Sequence, residues 1–294
     1  MKLLNESRQF EDILKRDLKE FLSDAKVRDL INITDFDTLY KNLIFRKYAR
    51  FVGFLTDKLL ELDINPLEYF KNSIPHSFSY EGQGYTDIVI PSNISFIESE
   101  AFDDSKVSSI VFPENLLTIS SRAFHGCENL SHIDFSKCNK LSVISDYAFS
   151  LSNIKNLDLS NTIVETISDW SFYNCYKLES VKLSSNTKYL NKCCFGNCTK
   201  LSEIELHEGI LIIDDNAFMN TNLKQIKLPV SCTYIGNDVF PNYLEELEIP
   251  SNSWMKNISP HLVRNCTNLK VLKIPKRFED KVDLPNQTCQ VIYT

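Results

Sequence analysis

Glycine is scarce, with seven in 294 residues, roughly a third of ordinary usage. Enzymes that hold phosphates on glycine-rich loops are disfavoured on that ground. The lone EGQGYT at residues 81–86 lacks the third glycine and the strand-to-helix setting such a loop needs. The patterns G-x-S-x-G and H-E-x-x-H are absent as well. No stretch approaches the roughly 18 consecutive apolar residues of a membrane span. The opening MKLLNESRQFEDILKRDLKEF carries charge at almost every turn and holds no apolar run of signal-peptide length. A cytoplasmic chain without a membrane span is expected.

The five histidines, His76, His125, His132, His207 and His261, are scattered over different sequence contexts. Acid–base or nucleophilic catalysis needs a histidine beside a nucleophile or carboxylate with a third group orienting it. Only His132, near Asp134 and Asp158 in repeat phase, comes close, and a solvated surface position accounts for it. No enzyme and no cofactor are expected. The nine cysteines are an odd number, which in an unsecreted chain points to reduced thiols. CCFGNC gathers Cys193, Cys194 and Cys198, but a zinc site pairs two closely spaced sets of ligands and no second set is visible, so no metal is expected. The eight N-x-S/T triplets, including Asn93, Asn197, Asn265 and Asn286, are read as chance.

What the chain does contain is an ordinary globular composition, 43% hydrophobic and 24% charged, with net charge −7. Residues 1–72 carry 13 side chains of each sign, so the whole acidic excess falls in residues 73–294. A body of that charge is repelled by phosphate backbones, and duplex nucleic acid is not an expected direct partner.

The dominant feature is an internal repeat. Segments such as ISSRAFHGCENLSHIDF from Ile119 and ISDWSFYNCYKLESVKLS from Ile167 align in phase. Their anchoring position runs Phe102, Phe124, Phe149, Phe172, Phe195, Phe218, Phe240 and Val263, at spacings of 22 to 25 residues. An irregular copy opens at Ile74. Each unit holds an Ile and a Phe five apart, read as a helical apolar set, and then a strand L-x-x-I-x-L whose alternate residues face one side. One unit of about 23 residues cannot bury its apolar face alone, so neighbours must stack. Cys127, Cys175, Cys198 and Cys266 each follow the anchor by three, which predicts a buried column of small side chains.

These motifs, with the strand ends at Pro91, Pro113, Pro229, Pro250 and Pro275, resemble the BspA-type, or Treponema-type, leucine-rich repeat family, over about residues 74–275. The resemblance implies a binding scaffold with no particular ligand, and the family's better-known members are secreted adhesins. The expected architecture is an α/β repeat solenoid: a right-handed leucine-rich-repeat horseshoe with a parallel concave sheet over residues 73–275, preceded by an N-terminal helical domain at 1–72. Residues 276–294 form the C-terminal cap, with CQVIYT as a closing strand. In the head, Phe10, Ile13, Leu14, Leu18, Phe21 and Leu22 make an amphipathic stripe. FRKYARF there interleaves Arg46, Lys47 and Arg50 with aromatics, a pattern that can bind RNA or an acidic surface, though with no net charge on the head a helix with its aromatics inward and its cations solvated is the simpler account.

Two surfaces are candidates for binding another protein. On the concave strands, Asp134, Asp158, Lys182, Glu205, Lys227, Glu248 and Lys273 follow one another, with signs alternating from Asp158 onward. The column is read either as a self-neutralising ladder or as a partner site. A second column, Lys155, Glu179, Ser202, Lys224, Glu245 and Lys270, alternates similarly. On the convex side, Tyr147 and Trp170 occupy adjacent rungs with Tyr173 and Tyr176 nearby, an aromatic cluster of the kind enriched at interfaces that could also simply pack on the turns. A scaffold is the expected function, with three variants: an inhibitor that mimics nucleic acid in a defence enzyme's groove, a surface adhesin, and an adaptor docking through its head.

Overall fold

The computed structural model describes residues 86–294 together with Leu67, Phe70, residues 72–74, His76 and Phe78. The expected helical head, with Arg46, Lys47 and Arg50, otherwise lies outside the described residues. The chain winds into stacked coils, each contributing two short parallel strands. Eight two-residue strands form one continuous sheet: β1 (Ser73–Ile74), β3 (Phe96–Ile97), β5 (Thr118–Ile119), β7 (Val143–Ile144), β9 (Thr166–Ile167), β11 (Tyr189–Leu190), β13 (Ile212–Ile213) and β15 (Tyr234–Ile235), in that order.

The L-x-x-I-x-L segments supply the second strand, and here the expectation of one unbroken sheet is corrected. They form three sheets. The first holds β2 (Asp87–Val89), β4 (Ser109–Val111) and β6 (His132–Asp134); the second β8 (Asn156–Asp158), β10 (Ser180–Lys182) and β12 (Glu203–Ile204). The third holds β14 (Gln225–Lys227), β16 (Glu246–Glu248), β17 (Val271–Ile274) and β18 (Gln290–Tyr293). The C-terminal run thus closes the stack as a strand parallel to β17. Alternation decides which residues face in: β8 reads exposed, buried, exposed at Asn156, Leu157 and Asp158.

The expected helical stretch is also corrected, and the fold is a β-solenoid. No α-helix occurs among the described residues. Ile and Phe five apart do both point inward, but the chain between them makes a turn whose amides alternate in their bonding. The amides of Ala101, Asp103 and Ser105 donate within the turn to the carbonyls of Glu98, Glu100 and Phe102. Those of Glu100, Phe102 and Asp104 donate to the next rung, at Ser121, Ala123 and His125 (3.0, 2.7 and 2.8 Å). A helix directs every amide along its own axis, so it could not make this third inter-rung ladder.

The geometry that permits the alternation is left-handed backbone at two places per rung. Glu100, Arg122, Tyr147, Trp170, Cys193, Asn216 and Asp238 have φ between 52° and 59°. Four residues further on, Asp104, Gly126, Leu151, Asn174, Asn197 and Asn220 lie between 54° and 68°. Asparagine, aspartate and glycine suit such backbone. Gly126 is needed for a second reason, because a Cβ there would stand 1.9 Å from Asp104 Oδ1. In the second column the asparagines also bond to one another: Asn197 Nδ2 donates to Asn174 Oδ1 and Asn220 Nδ2 to Asn197 Oδ1 (2.9 and 2.8 Å).

Between these faces lies one continuous apolar core. Phe102, Phe124, Phe149, Phe172, Phe195 and Phe218 stack ring on ring, with centroid separations opening from 4.9 to 6.1 Å along the column. Phe70 and Phe78 extend it with edge-on contacts. Because Phe149 is fully buried between two such rings, Phe149→Ala is expected to cost about 3–5 kcal/mol in urea unfolding. Val143→Ala, at an outward position, should stay within about 0.5 kcal/mol.

Candidate functional site

The charged column begins with two residues whose first role is local. Asp134 Oδ1 accepts the amide of Ser136 (2.8 Å), and Asp158 Oδ1 accepts the amide and hydroxyl of Ser160 (3.0 and 2.5 Å). Other copies place proline at this corner, as at Pro91 and Pro113, and proline has no amide to satisfy. At Ser136 and Ser160 an aspartate two residues earlier caps the freed N–H, whereas Ser184 has Lys182 in that place. Ser136 holds the Asp134 carboxyl below its usual range. Burial works against the same shift at Asp158, but Ser160 and Lys182 outweigh it.

Further along, the column behaves in part as a ladder. Lys182 lies 3.5 Å from Asp158, Lys227 3.0 Å from Glu248, and Lys273 3.7 Å from Glu248 and 2.5 Å from Glu246. Glu205 breaks it, making no ion pair within 4 Å among the described residues. It stands at the sheet break between β12 and β14, lining two adjoining hollows of about 560 and 290 Å³, while Lys182 on neighbouring β10 is drawn to Asp158. In the second column only Lys270 and Glu245 meet, at 2.5 Å, while Lys224 sits over the Tyr243 ring.

His132 is not assembled into a catalytic group. Its Nδ1 contacts Ser131 Oγ at 2.8 Å, Asp134 is occupied by Ser136, and no carboxylate pairs with it among the described residues. Among those residues the one metal-like group is Asp103, Asp104 and His125. There His125 Nδ1 already meets Asp103 at 2.7 Å, and the Arg122 guanidinium supplies a cation 3.4 Å from the same carboxylate.

All nine cysteines are buried free thiols. Their column does more than fill space, since Cys127, Cys175 and Cys198 each donate to the carbonyl of the preceding rung's phenylalanine (3.0, 3.2 and 3.2 Å). Burial pushes Cys127, Cys138 and Cys266 up to about 12, and Cys193 and Cys232 to about 11. The amides of Asn93, Asn197, Asn265 and Asn286 are likewise engaged, bonding to neighbouring rungs.

The aromatic residues do come together. Tyr147 and Trp170 stack at 5.8 Å and 5°, and Tyr173 meets the Trp170 ring edge-on at 4.5 Å. The patch is fixed from below. Trp170 N–H donates to the Lys192 carbonyl, and Asn197 Nδ2 donates to the Tyr173 hydroxyl. Gly196 leaves the room, because a Cβ there would sit 3.1 Å from the Tyr173 ring. Tyr147 remains 37% exposed and Tyr176, set apart from the stack, 46%. Nothing in the core covers them.

One surface has no counterpart in the sequence reading. The outward residues of the eight-stranded sheet, Phe96, Thr118, Val143, Thr166, Tyr189, Ile212 and Tyr234, stand in register as an uncharged stripe. The signal was the residue immediately before each anchoring isoleucine, concealed by assigning that stretch to a helix.

With this geometry in place, comparison with known proteins is direct. The BspA type leucine rich repeat region matches residues 72–189 and 165–284, in six copies. The chain belongs to the BspA-type leucine-rich repeat family. A leucine-rich repeat protein from Bacteroides ovatus is similar in fold, with TM-score 0.52 and 24% identity over 76% of this chain. This BspA-type chain spans 64% of that protein's length. The pneumococcal vaccine antigen PcpA aligns over 66% of this chain and 56% of its own, at TM-score 0.43 and 21% identity. The Treponema pallidum leucine-rich repeat protein aligns over 70% of this chain and 86% of its own, at 0.35 and 18%. No curated protein matches the sequence. No helix of the described residues is long and apolar enough to cross a membrane.

Two expectations follow. At about pH 8 the folded protein should leave its thiols unreactive toward a disulfide reagent, apart from slow attack at Cys289, and all nine should react in denaturant. Asp134, Asp158, Glu245 and Glu248 are held below their ordinary values. Their stabilisation is therefore complete above the unfolded carboxylate values of about 4 and lost as pH falls through the lower folded ones. Thermal melts should show the midpoint dropping below about pH 4, and less steeply in Asp158→Asn/Glu248→Gln.

Proposed function

We propose that the protein is a non-enzymatic scaffold that binds another protein, with the Tyr147, Trp170, Tyr173 and Tyr176 face as its contact centre. The observation that carries this reading is that Tyr147, Trp170 and Tyr173 are organised by the rungs yet left exposed or half-buried, with exposed Tyr176 beside them. Rigid, half-exposed tyrosine and tryptophan are the side chains that most often anchor interfaces. Leucine-rich repeats generally mediate protein interactions, and family membership supports the same class of function.

The charged column is the weaker candidate. An inhibitor mimicking nucleic acid needs rows of unpaired carboxylates, whereas Asp158, Glu245, Glu246 and Glu248 are engaged by lysines. At His132, the histidine singled out for catalysis, no carboxylate orients the ring, whose Nδ1 meets Ser131 Oγ. Attachment to a surface protein, as for secreted members of the family, is the second reading and would use the same face. It requires an exported fraction of the protein in its native cells.

Trp170→Ala should reduce the partner captured from native cells by about tenfold or more while the circular dichroism melt stays cooperative. Undiminished capture would remove the aromatic face from the interface, and loss of folding would make Trp170 a structural residue.

A further inference from the structure

The aromatic face has an electrostatic neighbour that defines what it can receive, and the inference rests on reading that face as a contact site. Asp146 and Asp169 immediately precede Tyr147 and Trp170 on adjacent rungs. Neither carboxylate has a cation within 4 Å among the described residues. Asp169 acts on Asp146 instead. Burial and then the charge of Asp169 raise the Asp146 carboxyl, although the Asp169 amide partly offsets this. At the intervening Cys193 thiol, burial acts first and the charge of Lys192 opposes it, while Asp169, with Asp215 and Asp214 two rungs beyond, adds a smaller negative contribution.

The nearby cations do not neutralise this pair. Arg122, one rung before Tyr147, is drawn toward Glu100 and Asp103 (3.8 and 3.4 Å) and contacts His125. Lys192, one rung after Trp170, is exposed and makes no ion pair within 4 Å. Two carboxylates without a cation partner therefore stand next in sequence to two stacked aromatic rings, a combination that attracts a cation both by charge and by the ring quadrupole.

The backbone adds a second observation. Tyr147 and Trp170 hold φ of 57° and 58°, in the same column as Glu100 and Arg122 at 57° and as Asn216 and Asp238. Bulky side chains are disfavoured in that conformation, and residues kept in such strain cluster at binding sites. The fold needs only left-handed backbone at this position, so these two side chains are not explained by the turn.

We propose that the Tyr147–Trp170–Tyr173 face, with Asp146 and Asp169, receives an arginine or lysine side chain from a basic segment of a protein partner. The two stacked rings leave no gap for a third plane between them, so the cation lies across the exposed part of the patch. An arginine guanidinium, planar and weakly hydrated, suits an aromatic surface best.

The test uses the full chain carrying Trp254→Phe, so that Trp170 is its only tryptophan. A peptide of alternating arginine and glycine, and the same peptide with citrulline for arginine, are titrated while Trp170 emission is read. Saturable binding of the arginine peptide is expected, with the citrulline peptide at least about tenfold weaker. Asp146→Asn/Asp169→Asn should weaken the arginine peptide by a similar factor at an unchanged melting temperature. Single Asp169→Asn serves if the double variant melts early. Equal binding of the two peptides, or full binding by the carboxamide variants, overturns the inference but leaves an aromatic contact site intact. Undiminished partner capture by Trp170→Ala overturns the functional reading itself, whatever the peptides do.

Discussion

Everything in this molecule depends on alternate turn amides bonding forward to the next rung. That pattern, repeated at Glu100, Phe102 and Asp104, at Arg122, Phe124 and Gly126, and at Tyr147, Phe149 and Leu151, adds a third hydrogen-bonded side to the two strand faces. With three sides held, corresponding residues of successive rungs must stack directly. The phenylalanine column, the cysteine–carbonyl contacts and the asparagine ladder are all consequences of that registry. So is the aromatic face, since Tyr147 and Trp170 could not lie parallel if the turns were free to slip.

The same constraint explains where regularity fails. On the L-x-x-I-x-L face the rungs part between β6 and β8 and again between β12 and β14, while the eight-stranded sheet runs on without interruption. Strand length is not the cause, since the unbroken sheet is made of two-residue strands and the broken face of strands of two to four. The continuous sheet and the turn ladder carry the stack across both gaps. Glu205 is left at the second gap without a lysine, beside the hollows that open there.

Much of this was legible in the sequence. The spacing from Phe102 to Val263 identified the stack, its repeat length and the buried columns, because burial imposes the same residue type at the same phase. The aromatic cluster was found because Tyr147 and Trp170 share one phase and Tyr173 and Tyr176 follow close behind in the sequence. The turn was misread as a helix because an inward Ile and Phe five apart satisfy either geometry, and the distinction lies in the φ of Glu100, Arg122 or Trp170, residue types that do not advertise left-handed backbone. That misreading hid the stripe from Phe96 to Tyr234. The cap role of Asp134 and Asp158 was written in the sequence as Asp two residues before Ser where other copies have Pro. It was passed over in favour of the charge alternation further along.

The inter-rung bonds on all three sides are made largely by main-chain groups, and this has a consequence for how such a protein changes over time. A main-chain junction is indifferent to the identity of outward side chains, so duplication or loss of one whole coil can splice into the stack without redesigning either neighbour. Extra residues are absorbed outside the turn, as the spacings of 22 to 25 show, whereas an insertion between the alternating amides of the turn itself would break the forward ladder. Lineages of this chain should therefore vary in length by whole coils, and diversify mainly at outward positions such as those of Tyr147 and Trp170, where recognition can be rewritten while the scaffold stays the same.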